Sequence, residues 1–237
     1  MASRYITMQA ADGSGNFRGY MAMPSSGKGP GLVIAQEIFG VNKTMREVAD
    51  RYADEGYVAL VPDLFWRLQP DVELGYTPDD WQKAFGFFKG FNEAKGMEDL
   101  QTAISALRAR PEVRGGGVGV LGFCLGGKLA YLASCRTDAD VAVSYYGVGL
   151  EECLVEAQKI KTPLVLHIAE LDKFSTPEAR DKIVHALQGR PHISLHVYAG
   201  VDHAFARAGG DHYDRTAALL ADERTNAALK AALGPHE

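Results

Sequence analysis

Apolar positions along this chain fall into short continuous runs separated by stretches of helical spacing, and that alternation sets the first expectations. Residues 3–9 and 16–23 are mixed segments flanking the turn-rich Asp12-Gly13-Ser14-Gly15-Asn16, which predicts an antiparallel hairpin. Residues 31–36 and 58–62 are nearly all apolar, as strands covered on both faces require. Between them, Met45, Val48 and Tyr52 predict a helix over 43–55, ended by Gly56. An irregular stretch, 63–80, precedes one long helical region whose Met97, Leu100, Ile104 and Leu107 recur every three or four residues up to Pro111. Strands follow at 118–123, 141–147, 163–169 and 193–199, with helices at 125–135, 177–188 and 214–233 and an irregular connection at 150–160. A hairpin followed by repeated β/α crossovers predicts an α/β fold, a mostly parallel sheet with helices on both faces. Ligands in such folds sit at the carboxyl ends of the strands.

Composition narrows the classes. With 237 residues and no long linker or repeat, one domain over 1–237 is expected. Thirty acidic against 25 basic residues give a formal charge of −5, which leaves no basic footprint for nucleic acid. No apolar run approaches the roughly 20 residues of a membrane helix, and the first residues carry no apolar signal core. A cytoplasmic protein without a membrane partner is therefore expected, and a monomer is the default. Three cysteines, Cys124, Cys135 and Cys153, form no CxxC, so neither a disulfide framework nor a zinc site is expected. No metal or cofactor is expected, and Asp211, His212 and Asp214 read as loop residues rather than a metal site.

The strongest motif is Gly122-Phe-Cys124-Leu-Gly126, set between an expected strand and an expected helix. This is the nucleophile-elbow pattern of the α/β-hydrolase fold, with cysteine in the serine position. The sharp strand-to-helix turn strains the nucleophile's backbone and leaves room only for small residues two positions away on either side. The helix beginning at Leu125 also directs its free N–H groups toward the sulfur. Cys135 and Cys153 lack this setting and read as core filler.

A thiol nucleophile needs a base, and in this fold the chain order is nucleophile, acid, histidine. Of seven histidines, His203 follows the last strand, where a loop can bring an imidazole to Cys124. His167 lies inside a strand and reads as a core residue; His185, His192, His196, His212 and His236 read mostly as solvated. Asp172, just past the strand at 163–169, is the expected acid, with Glu170 as its neighbouring competitor. Two amides complete an oxyanion hole, Leu125 N–H after the nucleophile and Ile38 N–H in the loop Gln36-Glu37-Ile38-Phe39-Gly40. Glu37 in that loop reads from position alone as a solvated or amide-bound carboxylate.

Taken together, Gln36-Glu-Ile-Phe-Gly-Val-Asn42, Gly122-Phe-Cys-Leu-Gly-Gly127, Tyr145-Tyr-Gly-Val-Gly-Leu-Glu151, Asp202-His-Ala-Phe-Ala-Arg207 and Asp222-Glu-Arg-Thr225 resemble the dienelactone hydrolase family. The resemblance runs from about residue 30 to 225. It implies an enzyme that hydrolyses a small-molecule ester or enol-lactone, 4-carboxymethylenebut-2-en-4-olide to maleylacetate, with catalytic residues Cys124, Asp172 and His203. It also implies that Glu37 pairs with the resting thiol and that Tyr145 lies near the site. Of the family's two carboxylate-binding arginines, Arg207 has a clear counterpart, whereas Trp81 stands at the other position, with Phe85 and Phe88 where the family has a tyrosine and a tryptophan. Phe39, Trp81, Phe85, Tyr145 and Arg207 are the expected substrate contacts, and they imply a more apolar pocket. Two alternatives stay open: a broad-specificity esterase for an apolar ester, and a ligand-binding relative without catalysis.

Overall fold

The hairpin forms as its turn chemistry predicts, with β1 (Ser3–Gln9) antiparallel to β2 (Asn16–Ala22) in a register that pairs Ser3 with Ala22 and Gln9 with Asn16. A computed structural model describes residues 3–234, whose contacts divide at Val120/Leu121 into two units. In the first unit β2 is antiparallel to β4 (Val58–Pro62), and β4 is parallel to β3 (Gly29–Ala35). Every residue of β3 and β4 is buried, which is why both segments are continuous apolar runs. Helix α1 (Lys43–Asp54) packs on β2 and β4 through Met45, Ala49 and Tyr52. The Asn42 side chain caps it by accepting from the Met45 N–H at 3.1 Å, and Gly56 turns the chain away at φ 101°.

The long helical region expected before Pro111 is instead two helices, α2 (Pro78–Gly90) and α3 (Glu93–Arg108). The break has a local cause. Asn92 caps α3 by accepting from the Lys95 N–H at 3.1 Å, and the Phe91 ring lies over Gly96, where a Cβ would meet Phe91 Cζ at 2.2 Å. The start of α2 carries a reciprocal capping box between Thr77 and Asp80, with Pro78 in the first turn. The apolar face of α3 is as the spacing predicts: Met97, Leu100, Ile104 and Leu107 are buried.

The irregular segment between β4 and α2 is held by two buried carboxylates. Asp63 accepts from the Phe65 N–H at 3.0 Å and the Asp71 N–H at 2.7 Å; burial pushes its pKa up to about 6 against those bonds. Asp99, with no exposed surface, accepts from Arg67 Nε and Nη2 and from Trp66 Nε1, each at 2.8 Å. Trp66 in turn stacks on Phe17 at 5.6 Å.

Strand β5 (Val113–Phe123) begins five residues before the expected 118, after which Gly115 and Gly116 take positive φ in its exposed first half. Its first eight residues belong to the first unit, where the strand order is β1-β2-β4-β3-β5, and its last three to the second, where the strands over 141–145, 164–169 and 193–198 follow it in that order. In the second unit α4 (Leu125–Arg136) leads to β6 (Val141–Tyr145), two short 3₁₀ turns (Leu150–Glu152 and Leu154–Lys159), β7 (Leu164–Ala169), α5 (Pro177–Leu187), β8 (Ile193–Tyr198) and α6 (Arg215–Leu233). Strands β6, β7 and β8 are parallel, with Tyr145 beside His167 and His167 beside His196. Helix α4 packs on β6, α6 on β6 and β7, and α5 on β8. Strand β6 stops two residues before the expected 147, because Tyr146 turns the chain at φ 38°. Among the described residues, no helix is long and apolar enough to cross a membrane.

Replacing Asp99 with alanine removes the acceptor of Arg67 Nε and Nη2 and of the Trp66 indole N–H, while Arg67 Nη1 keeps Asp12 and Ser14, at a cost of about 2 kcal/mol. Urea unfolding of Asp99→Ala against the parent measures that loss; an unchanged midpoint would refute the anchoring role.

Candidate active site

Cys124 sits between the last residue of β5 and the first of α4 with φ 57° and ψ −116°, a conformation strained for any residue with a Cβ. Close backbone approach makes this turn possible. A Cβ on Gly122 would lie 1.9 Å from the Gly126 carbonyl oxygen, and one on Gly127 would lie 2.5 Å from the Tyr145 carbonyl oxygen. The Cys124 N–H donates to that Tyr145 carbonyl at 3.1 Å, and the Cys124 carbonyl accepts from the Lys128 N–H at 3.2 Å as the first helical bond of α4. The elbow is therefore tied to the end of β6 on one side and to its helix on the other. The Leu125 amide belongs to the first turn of α4, where N–H groups have no acceptor within the helix.

His203 and Asp172 meet in the second unit. His203 Nδ1 lies 2.8 Å from Asp172 Oδ2, and both side chains are buried. Burial opposes a charged imidazole, but the charge on Cys124 and the bonds to Asp172 and Cys124 outweigh it and push His203 up to about 10. The other Asp172 oxygen accepts from the Phe174 N–H at 2.8 Å, which fixes the carboxylate's orientation. Glu170, the competing acid, accepts from the Gly200 N–H at 2.8 Å instead.

Several supporting residues were not apparent from the sequence. Asp202 accepts from the N–H groups of His203 (2.7 Å) and Lys173 (3.2 Å) and pairs with the Lys173 ammonium at 3.0 Å, so the loops carrying His203 and Asp172 are tied together. Burial opposes its charge, yet these donors hold Asp202 below the usual carboxylate range. The rings of Phe174 and Tyr146 pack edge-on against His203 at 4.8 and 4.9 Å. His212 Nδ1 lies 3.1 Å from the His203 carbonyl oxygen, and Asp214 caps α6, so two of the three residues weighed as a metal site have structural partners. The doubling Tyr145-Tyr146 was the one available signal for the aromatic wall.

Tyr145 is buried, and its hydroxyl lies 3.1 Å from Asp222 Oδ1 and 2.7 Å from Thr225 Oγ1; what it gives the elbow is its backbone carbonyl. Arg207 is half-buried beyond the His203 loop, its N–H donating to the Ala204 carbonyl at 2.9 Å, and Ala204 itself has φ 63°. In the first unit Glu37, Ile38 and Phe39 are buried just past β3. Phe39 packs edge-on against Tyr76 at 4.7 Å and Trp81 at 4.9 Å, and Trp81 lies against Phe85 at 5.5 Å. Phe85 and Phe88 are exposed along α2, as is Lys83. His236 lies outside the described residues.

The dienelactone hydrolase family model matches residues 17–233. The chain belongs to the dienelactone hydrolase family. A protein of Azospirillum brasilense is 44% identical over 234 residues, covering 97% of this chain and 99% of its own length. A carboxymethylenebutenolidase of a Pseudomonas species is 40% identical over 223 residues, covering 93% and 92%. Solved structures agree on the fold. One from Klebsiella pneumoniae aligns with a TM-score of 0.81 at 24% identity over 96% of this chain and 98% of its own. The α/β hydrolase GrgF from a Penicillium species aligns at 0.70 with 13% identity over 98% and 99%. This member of the family is thus an α/β hydrolase, and it acts on carboxylic esters.

Two outcomes follow from the geometry. Gly122→Ala places a methyl group against the Gly126 carbonyl and destabilises the fold by about 3 kcal/mol, read as a lowered melting temperature. The folded pKa of His203, about 10, lies above the ordinary 6.5. Its contribution to stability is therefore complete below about pH 6.5 and is lost as pH rises through about 10. Cys124→Ala removes the charge that raises it, so the His203 midpoint followed by NMR falls; a midpoint that stays put would remove the sulfur as its cause.

Proposed function

We propose that this chain is a cysteine-dependent hydrolase of carboxylic esters or enol-lactones, with Cys124 as nucleophile, His203 as acid–base and Asp172 as the group that orients and charges the imidazole. The observation that carries this reading is a buried His203 whose Nδ1 lies 2.8 Å from Asp172 and whose imidazole is pushed up by Cys124 beside it. In the first step the sulfur attacks the acyl carbonyl, and the carbonyl electrons move to oxygen. The Leu125 N–H, and by the family pattern the Ile38 N–H, stabilise that oxyanion. Collapse re-forms the carbonyl and breaks the acyl–oxygen bond, while the His203 imidazolium gives its proton to the departing oxygen. Water, deprotonated by the now neutral His203, then attacks the thioester, and loss of the sulfur releases the acid. With an enol-lactone the departing enol remains attached to the acid and becomes a ketone, so the ring opens to a keto acid.

Substrate choice rests on the family pattern. Arg207 is the cation assigned to a substrate carboxylate, and Glu37 is assigned to the resting thiol. Trp81, with Phe39 and Phe85 against it, gives the corresponding part of the first unit an aromatic surface in place of a second arginine. An aromatic surface cannot supply the paired N–H donors with which a guanidinium holds a carboxylate. That substitution supports a second reading, a broader esterase that favours an apolar acyl group.

Hydrolysis of a chromogenic acetate ester and of cis-dienelactone, with Cys124→Ala beside the parent, tests the chemistry. The parent turns over at least one of the two, and the variant loses about 10⁴-fold or more in kcat. Full activity in Cys124→Ala would end the covalent mechanism. No turnover by the parent, with Cys124 inert to iodoacetamide, would end the enzyme reading. Ester pairs differing only in a carboxylate separate the two substrate readings: Arg207→Ala raises KM for the carboxylate member alone if the lactone acid is the substrate.

A further inference from the structure

The sequence Asp222-Glu-Arg-Thr225 has no place in the chemistry above, yet three of its residues are bound to the strands that carry the site. Arg224 Nη1 lies 3.1 Å from Tyr198 Oη, Tyr198 Oη 2.8 Å from His167 Nδ1, and His167 Nε2 2.9 Å from Thr225 Oγ1. Thr225 Oγ1 lies 2.7 Å from Tyr145 Oη, and Tyr145 Oη 3.1 Å from Asp222 Oδ1. His167, Thr225 and Tyr145 are completely buried, and Tyr198 nearly so.

Proton counting fixes the direction of this chain. There are five contacts, and each needs one proton. Arg224 can only donate, and the Asp222 carboxylate can only accept. Tyr145 must therefore donate to Asp222, Thr225 to Tyr145, His167 Nε2–H to Thr225, and Tyr198 to His167 Nδ1. Each hydroxyl donates once and accepts once, and His167 is neutral with its proton on Nε2. The direction agrees with the charges at the ends, and bonds aligned head to tail strengthen one another. Burial, with His196 and Arg224 nearby, holds His167 well below the ordinary imidazole range.

Two inner members of the chain, Tyr145 and His167, also hold the backbone that shapes the elbow. Tyr145, locked through Thr225 and Asp222, offers its carbonyl to the Cys124 N–H at 3.1 Å. The His167 carbonyl accepts from the Tyr146 N–H at 2.8 Å, at the residue with φ 38° whose ring packs against His203. One node thus holds the turn on which the nucleophile hangs and the aromatic wall of the base. We propose that His167 and Thr225 are positioning residues, and that the proton-ordered chain from Arg224 to Asp222 sets the alignment of Cys124 with His203. The proposal rests on the cysteine–histidine reading above.

Thr225→Val keeps the side chain's shape and removes the hydroxyl. Its expected effect is a fall in kcat of roughly tenfold, with KM within about twofold of the parent, on the ester the parent hydrolyses. The pH profile of Cys124 alkylation by iodoacetamide shifts with it, since the profile reports the sulfur–imidazole alignment and needs no substrate. Thr225→Ser returns the hydroxyl and restores most of the rate and of the profile. Tyr145→Phe removes the next hydroxyl without changing volume, gives the same two effects, and serves if Thr225→Val does not fold. A folded Thr225→Val or Tyr145→Phe with a lower melting temperature but the parent's kcat and alkylation profile would overturn the proposal. An inactive parent whose alkylation profile shifts in these variants would instead sink the hydrolase reading and leave the positioning role standing.

Discussion

The contact on which this site depends is between backbones: Gly122 against the Gly126 carbonyl, and Gly127 against the Tyr145 carbonyl. Without side chains at these positions, β5 can turn into α4 so tightly that Cys124 is left at φ 57°. That strain has to be offset, and the Cys124 N–H bond to Tyr145 is one of the bonds that hold it. The elbow is therefore stable only while the end of β6 stays in place. Everything that fixes Tyr145 and Tyr146 also bears on the direction in which the sulfur points.

Two buried histidines in the second unit show how partners, rather than burial, decide charge. His167 and His203 are both withdrawn from water, which disfavours the imidazolium in each. His203 faces Asp172 and the charge on Cys124, and it is pushed up. His167 touches two hydroxyls and lies near Arg224, and it stays neutral. In the proposed mechanism a proton carrier is needed at the sulfur, whereas a structural node works best if it stays neutral. Chemistry and support thus use the same residue type in opposite states.

What the sequence disclosed was local in origin. The Gly-x-Cys-x-Gly pattern, the strand before it and the helix after it are all set by neighbours within a few residues, and Asp172 and His203 could be found from chain order. The break at Phe91–Asn92 was hidden because the Asn92 cap falls inside an apolar rhythm that continues through it. The early start of β5 was hidden because Gly115 and Gly116 interrupt its apolar pattern and take positive φ. Tyr145 was assigned by resemblance to the substrate, but its hydroxyl partners, 77 and 80 residues away, could not be read from its own surroundings. Asp202 was equally obscure, since it binds its own neighbour and a loop 29 residues earlier.

The hydroxyl chain also explains why α6 looks commonplace as a sequence. Its buried stripe, Ala217, Ala221, Thr225 and Leu229, recurs every four residues and reads as an ordinary amphipathic face. Alanine at two of those positions lets the helix approach β6 and β7 closely. That approach is what brings Thr225 within reach of both Tyr145 and His167. Asp222, three residues before Thr225, shares its face of the helix, and the long Arg224 side chain reaches Tyr198 from the flank. A single helical turn thus supplies the acceptor, the middle and the donor of one buried chain. Charges at its two ends cost little because both are only partly withdrawn from water, while the neutral groups between them occupy the dry centre.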